Sequence, residues 1–100
     1  MKGQPEKARS DWERALDLAP NRPEVYNNLG LYYAQQEKMA EAKGYFYEAE
    51  KLDPEFVQPR ENMAVIHRKL GQYEMLNEEL YRISKIKTRR QVMSSAINAK

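Results

Sequence analysis

The chain contains no cysteine and only one histidine, His67. The lack of cysteine excludes disulfides, thiolate metal sites and a cysteine nucleophile. A lone histidine has no second histidine at helical spacing with which to hold a metal ion. No stretch approaches the roughly 20 apolar residues that a membrane span requires. These absences leave the compartment open: cytoplasm or, if the chain is a fragment, periplasm.

Motifs that carry chemistry are also scarce. Glycine occurs only four times, and no glycine-rich phosphate loop is present. Glu78 and Glu79 are adjacent, so on a helix they point in different directions and do not share a substrate atom. We expect His67 to be a packed, hydrogen-bonded core residue. The sequence therefore predicts no enzyme, no cofactor and no metal site.

The composition is that of one soluble helical domain. Of the 100 residues, 41% are hydrophobic and 32% are charged, which argues against disorder. Charge is unevenly distributed, because residues 82–100 contain six basic side chains and no acid. They are Arg82, Lys85, Lys87, Arg89, Arg90 and Lys100. Such a segment is either a solvated helix end or a surface for nucleic acid or another anionic partner.

Helical periodicity is the main structural signal. Apolar residues between Val25 and Tyr33 recur at the spacing of one helix face, and those between Ala42 and Leu52 do the same. The polar connection 35–38 between them is short, so we expect the two helices to pack antiparallel.

The chain repeats itself at an offset of 34 residues. Ala8, Trp12, Ala15, Leu18 and Pro20 shift onto Ala42, Phe46, Ala49, Leu52 and Pro54. Asn28 shifts onto Asn62 in the same way. A fixed period of this length indicates stacked helical units, each of which buries its apolar face against its neighbours.

Residues 23–56 carry a specific pattern. They read Tyr26-x2-Leu29-Gly30-x2-Tyr33, then Ala42-x3-Phe46, Ala49 and Pro54. This pattern resembles the tetratricopeptide repeat. It departs from the family pattern only at the leading tryptophan, where this sequence has Tyr26. The resemblance implies an all-α, right-handed α-solenoid of antiparallel helix pairs, with about six helices in one domain. It also implies a scaffold that binds other proteins.

The flanks match the family less well. Residues 1–22 supply only the second helix of a repeat, residues 23–56 a full repeat, and residues 57–90 a degenerate repeat. We expect a separate basic helix over 88–100 to cap the stack with Val92, Met93, Ala96 and Ile97. Terminal repeats are commonly atypical in this way.

The half repeat leaves a helix face without its usual partner. This face carries Ala8, Trp12 and Ala15, and exposing a large apolar side chain is unfavourable. Either the chain is a fragment of a longer array, or a second copy covers the face. In the latter case this end would meet the basic helix of another copy, giving head-to-tail self-assembly.

The resemblance implies a concave binding face formed by the first helix of each pair. The candidate residues are Asn27, Asn28, Leu31, Gln35, Glu61, Asn62, Val65, Arg68 and Lys69. Asn28 and Asn62 lie one repeat apart, and their amides can pair with an extended peptide backbone. The alternative is that both are ordinary solvated residues. Chaperone-tail binding is not expected, because Gln58 and Asn62 occupy slots where that variant has cations.

Overall fold

A computed structural model describes residues 5–98, with side chains described as far as Ser95. Residues 1–4, 99 and 100, which belong to the predicted half repeat and basic helix, lie outside this part. Five helices and no strands occur between residues 5 and 98, so the all-α prediction is confirmed. The helices are α1 (Pro5–Leu18), α2 (Pro23–Gln35), α3 (Met39–Leu52), α4 (Val57–Lys69) and α5 (Tyr73–Asn98). They form an α-solenoid of helix pairs, with α2 packed on α3 and α4 on α5.

The turn between α2 and α3 has a defined geometry. The backbone N–H of Lys38 donates to the carbonyl of Tyr33 at 2.9 Å, and that of Glu37 donates to Ala34 at 3.0 Å. Glu37 has a φ of 62°, in the left-handed region. Together these form the hydrogen-bond pattern of a Schellman motif, which ends one helix and reverses the chain.

The turn between α4 and α5 repeats this geometry 34 residues later. Gln72 donates its N–H to the His67 carbonyl at 2.8 Å, and Gly71 donates to Arg68 at 3.1 Å. Gly71 has a φ of 72°, the same backbone conformation as Glu37. Glycine adopts it without steric cost, whereas glutamate does not. The period seen in the sequence therefore recurs in the backbone.

Phe46 is the centre of the core. It is fully buried and packs in one cluster with Ala42, Met63 and Ile66, which joins α3 to α4. On its other side lies Gly30 of α2, where an added Cβ would lie only 2.6 Å from Phe46 Cδ1. Real Cβ atoms do not approach so closely, so glycine at this position allows α2 and α3 to pack together.

The separate capping helix predicted over 88–100 is not present, because α5 continues without a break through residue 98. The cause lies in the sequence at its expected boundary. Pro54 follows the end of α3, but the residue one period later is Thr88. Threonine keeps its N–H and does not clash with the preceding turn, so nothing stops the helix there.

Of the four residues expected to cap the stack, the two with described side chains do not do so. Val92 and Met93 are exposed, and the side chains of Ala96 and Ile97 lie outside the described set. Leu80, one period after Phe46, is 44% exposed, whereas Phe46 is fully buried. The difference arises because α4 covers α3, while no following helix among residues 5–98 covers Leu80. No helix in this range has the length and apolar character needed to cross a membrane.

Candidate functional site

A small cavity lies between α2 and α4, on the face where the sequence predicts partner contacts. Its volume is about 90 Å³. Four of the predicted residues line it: Leu31, Asn62, Val65 and Lys69. Ala34, Met39, Phe46 and Ile66 complete the lining. We call this cavity and its eight lining residues the α2–α4 groove.

The groove is mainly apolar. Phe46 and Ile66 belong to the buried core, and Ala34 and Met39 pack against it as partly buried side chains. Leu31 and Val65 are 38% and 50% exposed, so they keep apolar surface in contact with water. A cleft that joins an apolar lining to a few polar groups is the usual form of a binding site.

Two asparagines interact beside the groove. Asn62 Nδ2 donates to Asn27 Oδ1 at 3.0 Å. Asn27 is buried, so the prediction that it contacts a partner needs correction: it positions the Asn62 amide instead. Asn62 is half-buried and keeps its Oδ1 and one N–H outside this bond. Asn28 is likewise half-buried.

The charged residues of the face differ in their surroundings. Glu61 forms an ion pair with Lys87 of α5, with Lys87 Nζ 3.0 Å from Glu61 Oε2. Arg68 and Lys69 are exposed near the end of α4, and neither is within ion-pair distance of an acid in residues 5–95. Gln35 is exposed at the end of α2. Glu61 is thus paired with a cation, whereas Arg68 and Lys69 have no acidic partner among residues 5–95.

Part of the basic segment is also balanced internally. Arg89 pairs with the Glu55 carboxylate, and Arg90 donates to the Glu55 backbone carbonyl. Lys87 likewise pairs with Glu61. Acidic residues from outside the segment 82–100, which itself contains no acid, therefore lie beside three of its basic side chains. Lys85 remains at the surface, with its Nζ 5.4 Å from the ring centroid of Tyr81.

The face predicted to be open on α1 is partly covered. Ala8, Trp12 and Ala15 are each half-buried, and α1 packs on α2. Arg9 contributes to this contact, with its guanidinium carbon 6.0 Å from the ring centroid of Tyr32. Leu18, at the end of α1, is 81% exposed. Covering of this face by a second copy remains a prediction.

A buried charge cluster links α3, α4 and α5, and the sequence analysis missed it. Arg60 Nη1 lies 3.1 Å from Glu50 Oε1 and 3.9 Å from Glu79 Oε1, and all three side chains are largely buried. Glu50 Oε2, Arg60 Nε and Glu79 Oε1 have no hydrogen-bond partner within the part of the chain that the structure describes. The three residues are 10 and 19 positions apart, so no helical pattern in the sequence brings them together.

Burial shifts the pKa values of the carboxyl groups in this cluster. Loss of hydration raises the pKa of both Glu50 and Glu79. The negative charge of Glu79 raises the pKa of Glu50 further, while Arg60 and Arg82 act in the opposite direction on both carboxyls. The pKa of the nearby Tyr47 is raised for the same reasons, burial first and then the two carboxylates. The cluster lies away from the groove and is a structural element of the stack.

His67 lies where the sequence analysis placed it, in the core. It is fully buried, and its Nδ1 is 3.0 Å from Gln72 Oε1. Because an amide oxygen only accepts hydrogen bonds, this contact places the ring proton on Nδ1. Gln72 also donates its N–H to the His67 carbonyl, so the pair closes the turn between α4 and α5.

Comparison with protein families identifies the repeat. A family model described as "TPR repeat" matches residues 2–37, and one described as "Tetratricopeptide repeat" matches residues 23–56. The chain belongs to the tetratricopeptide repeat family. TPR repeats generally mediate protein–protein interaction and scaffolding, and proteins built from them are typically non-catalytic.

Several curated proteins contain a segment similar to this TPR chain. Cellulose synthase operon protein C of Pseudomonas fluorescens is 36% identical over 53 residues, which is 53% of this chain and 4% of that protein. Human protein arginine N-methyltransferase 9 is 37% identical over 51 residues, or 51% of this chain and 6% of the enzyme. The peroxisomal targeting signal receptor of Candida glabrata is 33% identical over 69 residues, which is 69% of this chain and 12% of that receptor. The chain thus spans only a small part of each relative.

Proposed function

We propose that this chain is a non-catalytic module that binds an extended segment or helix of a partner protein on the face formed by α2 and α4. The observation that supports this most directly is the α2–α4 groove, where four predicted contact residues line one cavity with an apolar floor. A scaffold of the tetratricopeptide repeat family normally acts through such protein contacts. We further propose that the chain contributes this surface to a larger assembly.

Asn28 and Val65 are the residues with which to test the proposal. An Asn62→Ala variant would also leave the buried Asn27 oxygen without its donor, and would confuse binding with stability. Val65 is half exposed, so Val65→Asp introduces a charge at the groove without burying it. Val92→Asp is the matched control, because Val92 is exposed on α5, away from the groove.

The experiment compares proteins retained from a cell extract by the immobilised wild-type chain and by each variant. We expect Val65→Asp to lose specific partners that Val92→Asp retains. For a purified partner, Asn28→Ala should weaken binding by about 1 kcal/mol, the value of one hydrogen bond. Equal retention by all variants that remain folded, as judged by circular dichroism, would contradict the proposed face.

Self-association through the α1 end is a second candidate. The observation that favours it is Leu18, which is 81% exposed at the end of α1, the helix that also carries the half-buried Trp12. Head-to-tail contact of this end with another copy would give open chains or rings, not closed dimers. Light scattering at high micromolar concentration tests this, and a strictly monomeric species would exclude it.

A further inference from the structure

The size of the α2–α4 groove limits what it can hold. Its volume is about 90 Å³. An apolar cavity of about 150 Å³ accommodates a benzene molecule. The groove is smaller than that cavity, so it matches one branched aliphatic side chain better than an aromatic ring. The neighbouring exposed surfaces of Leu31 and Val65 would be covered by the same side chain and the backbone that carries it.

The charge at the rim of the groove selects among aliphatic ligands. Lys69 lines the cavity and has no acidic partner in residues 5–95. Glu61, the acid on the same face, is already paired with Lys87 at 3.0 Å. The groove therefore combines an apolar pocket with a positive charge that no acid among residues 5–95 balances, and complementarity calls for an acid on the ligand.

The amide of Asn62 adds a third constraint. Its bond to the buried Asn27 fixes the orientation of the side chain at the edge of the cavity. The Oδ1 and the remaining N–H of Asn62 are then suited to pair with a peptide group. A side chain held by a buried neighbour loses less conformational entropy when it binds.

From these three features we infer that the groove recognises a peptide segment in which a leucine-like aliphatic residue is next to an acidic residue. The aliphatic side chain enters the cavity, the acid lies at Lys69, and the backbone between them meets Asn62. This inference depends on the binding face proposed above and specifies its ligand.

Blocked dipeptides test the ligand directly. The probe is N-acetyl-Leu-Glu-amide, titrated into the full chain with methyl-labelled Leu, Val, Ile, Met and Ala and followed by NMR. Comparison probes replace one feature each: N-acetyl-Ala-Glu-amide removes the aliphatic group, N-acetyl-Phe-Glu-amide enlarges it, and N-acetyl-Leu-Gln-amide removes the charge. The methyl signals of Leu31, Met39 and Val65 report on the groove, and those of Leu18 and Val92 report on distant surfaces.

We expect saturable shifts at the groove methyls with the Leu-Glu probe. Loss of three buried carbons should weaken the Ala-Glu probe at least tenfold. The phenylalanine probe should also bind more weakly than the leucine probe, because the groove is smaller than a cavity that holds a benzene ring. Loss of the exposed ion pair should weaken the Leu-Gln probe about threefold. Lys69→Gln should abolish the difference between Leu-Glu and Leu-Gln, whereas Lys85→Gln, an equal charge change on α5, should preserve it.

The outcomes separate the two proposals. Shifts at the groove methyls that are equal for leucine, alanine and phenylalanine probes would overturn the ligand assignment and leave the binding face intact. Shifts confined to Leu18 or Val92, or no shifts at any probe concentration up to solubility, would overturn the ligand assignment. If Val65→Asp also retained every partner, the binding face itself would be rejected.

Discussion

The buried cluster of Glu50, Arg60 and Glu79 predicts that removing one charge stabilises the protein. Two carboxylates share one close guanidinium, and Glu79 is the more weakly paired, at 3.9 Å against 3.1 Å for Glu50. No hydrogen-bond partner for Glu79 Oε1 lies among residues 5–95. Glu79→Gln keeps the shape of the side chain, removes its charge and leaves the pair between Glu50 and Arg60 in place.

The direction of the pH dependence follows from the raised pKa of Glu79 in the folded state. The folded protein holds this proton more tightly than the unfolded chain does. The contribution of Glu79 to the stability of the folded state is therefore complete below the ordinary glutamate pKa, near 4.5. It is lost as the pH rises through the raised pKa of Glu79 in the folded protein. Glu50 titrates in the same direction, so both carboxyls favour the folded state at acidic pH.

The contacts of Glu79 limit how much Glu79→Gln can change the free energy of unfolding. A buried polar group without a partner costs about 1–3 kcal/mol, and Arg60 compensates part of this for Glu79. We therefore expect Glu79→Gln to raise the free energy of unfolding at pH 7 by about 1 kcal/mol. For a domain of this size that is a rise in Tm of about 4–8 °C. Near pH 4, where Glu79 is protonated in the folded protein, the variant and the wild type should differ little.

Urea denaturation at several pH values between 4 and 8 measures this difference. Glu78→Gln is the control, because it makes the same change on the exposed neighbour of Glu79 and should alter stability by less than about 0.5 kcal/mol. Arg60→Met should lower stability at pH 7 by about 3 kcal/mol, since two buried carboxylates then lose their closest cation. A Glu79→Gln protein that is less stable than wild type at pH 7, or equally stable at every pH, would refute the reasoning.

Three further predictions concern the repeat geometry, each measured by chemical denaturation. Glu37→Gly should stabilise by up to about 1 kcal/mol and Gly71→Ala should destabilise by about 1 kcal/mol, because both positions need a positive φ; two changes of the same sign would be inconsistent with this. Phe46→Ala should cost about 3–5 kcal/mol, but Leu80→Ala less than about 1 kcal/mol, since only Phe46 is covered by a following helix; equal costs would contradict that difference. Gly30→Ala should cost about 1–3 kcal/mol through its clash with Phe46, and a neutral effect would show that α2 and α3 separate easily.

The periodic part of the sequence predicted most of the fold. Gly30, Ala42 and Phe46 are identifiable from their spacing because each has a packing role set by the neighbouring repeat. The end of α3 before Pro54 could be predicted for the same reason. These are local features, and their pattern recurs at a fixed offset.

The features of the fold and of the candidate site that the sequence did not predict depend mainly on contacts between residues that are distant in the sequence. The pairing of Arg60 with Glu50 and Glu79 requires three helices to be in place, and no spacing rule relates these positions. The bond between Asn27 and Asn62 is of the same kind, and it changes Asn27 from an expected contact residue to a buried support. The course of α5 past Thr88 was missed because the family pattern predicted a boundary, although the residues themselves contain no helix breaker.

Phe46 connects the packing of the stack with the proposed binding face. It fills the space left by Gly30, joins α3 to α4 through Met63 and Ile66, and also forms part of the floor of the α2–α4 groove. The groove therefore derives its shape from the same contact that sets the separation of α2 and α3. Leu80, which no following helix covers among residues 5–98, has no such double constraint. On this argument, the packing of residues 23–56 against α4 provides both the rigid core and the surface that we propose holds a partner.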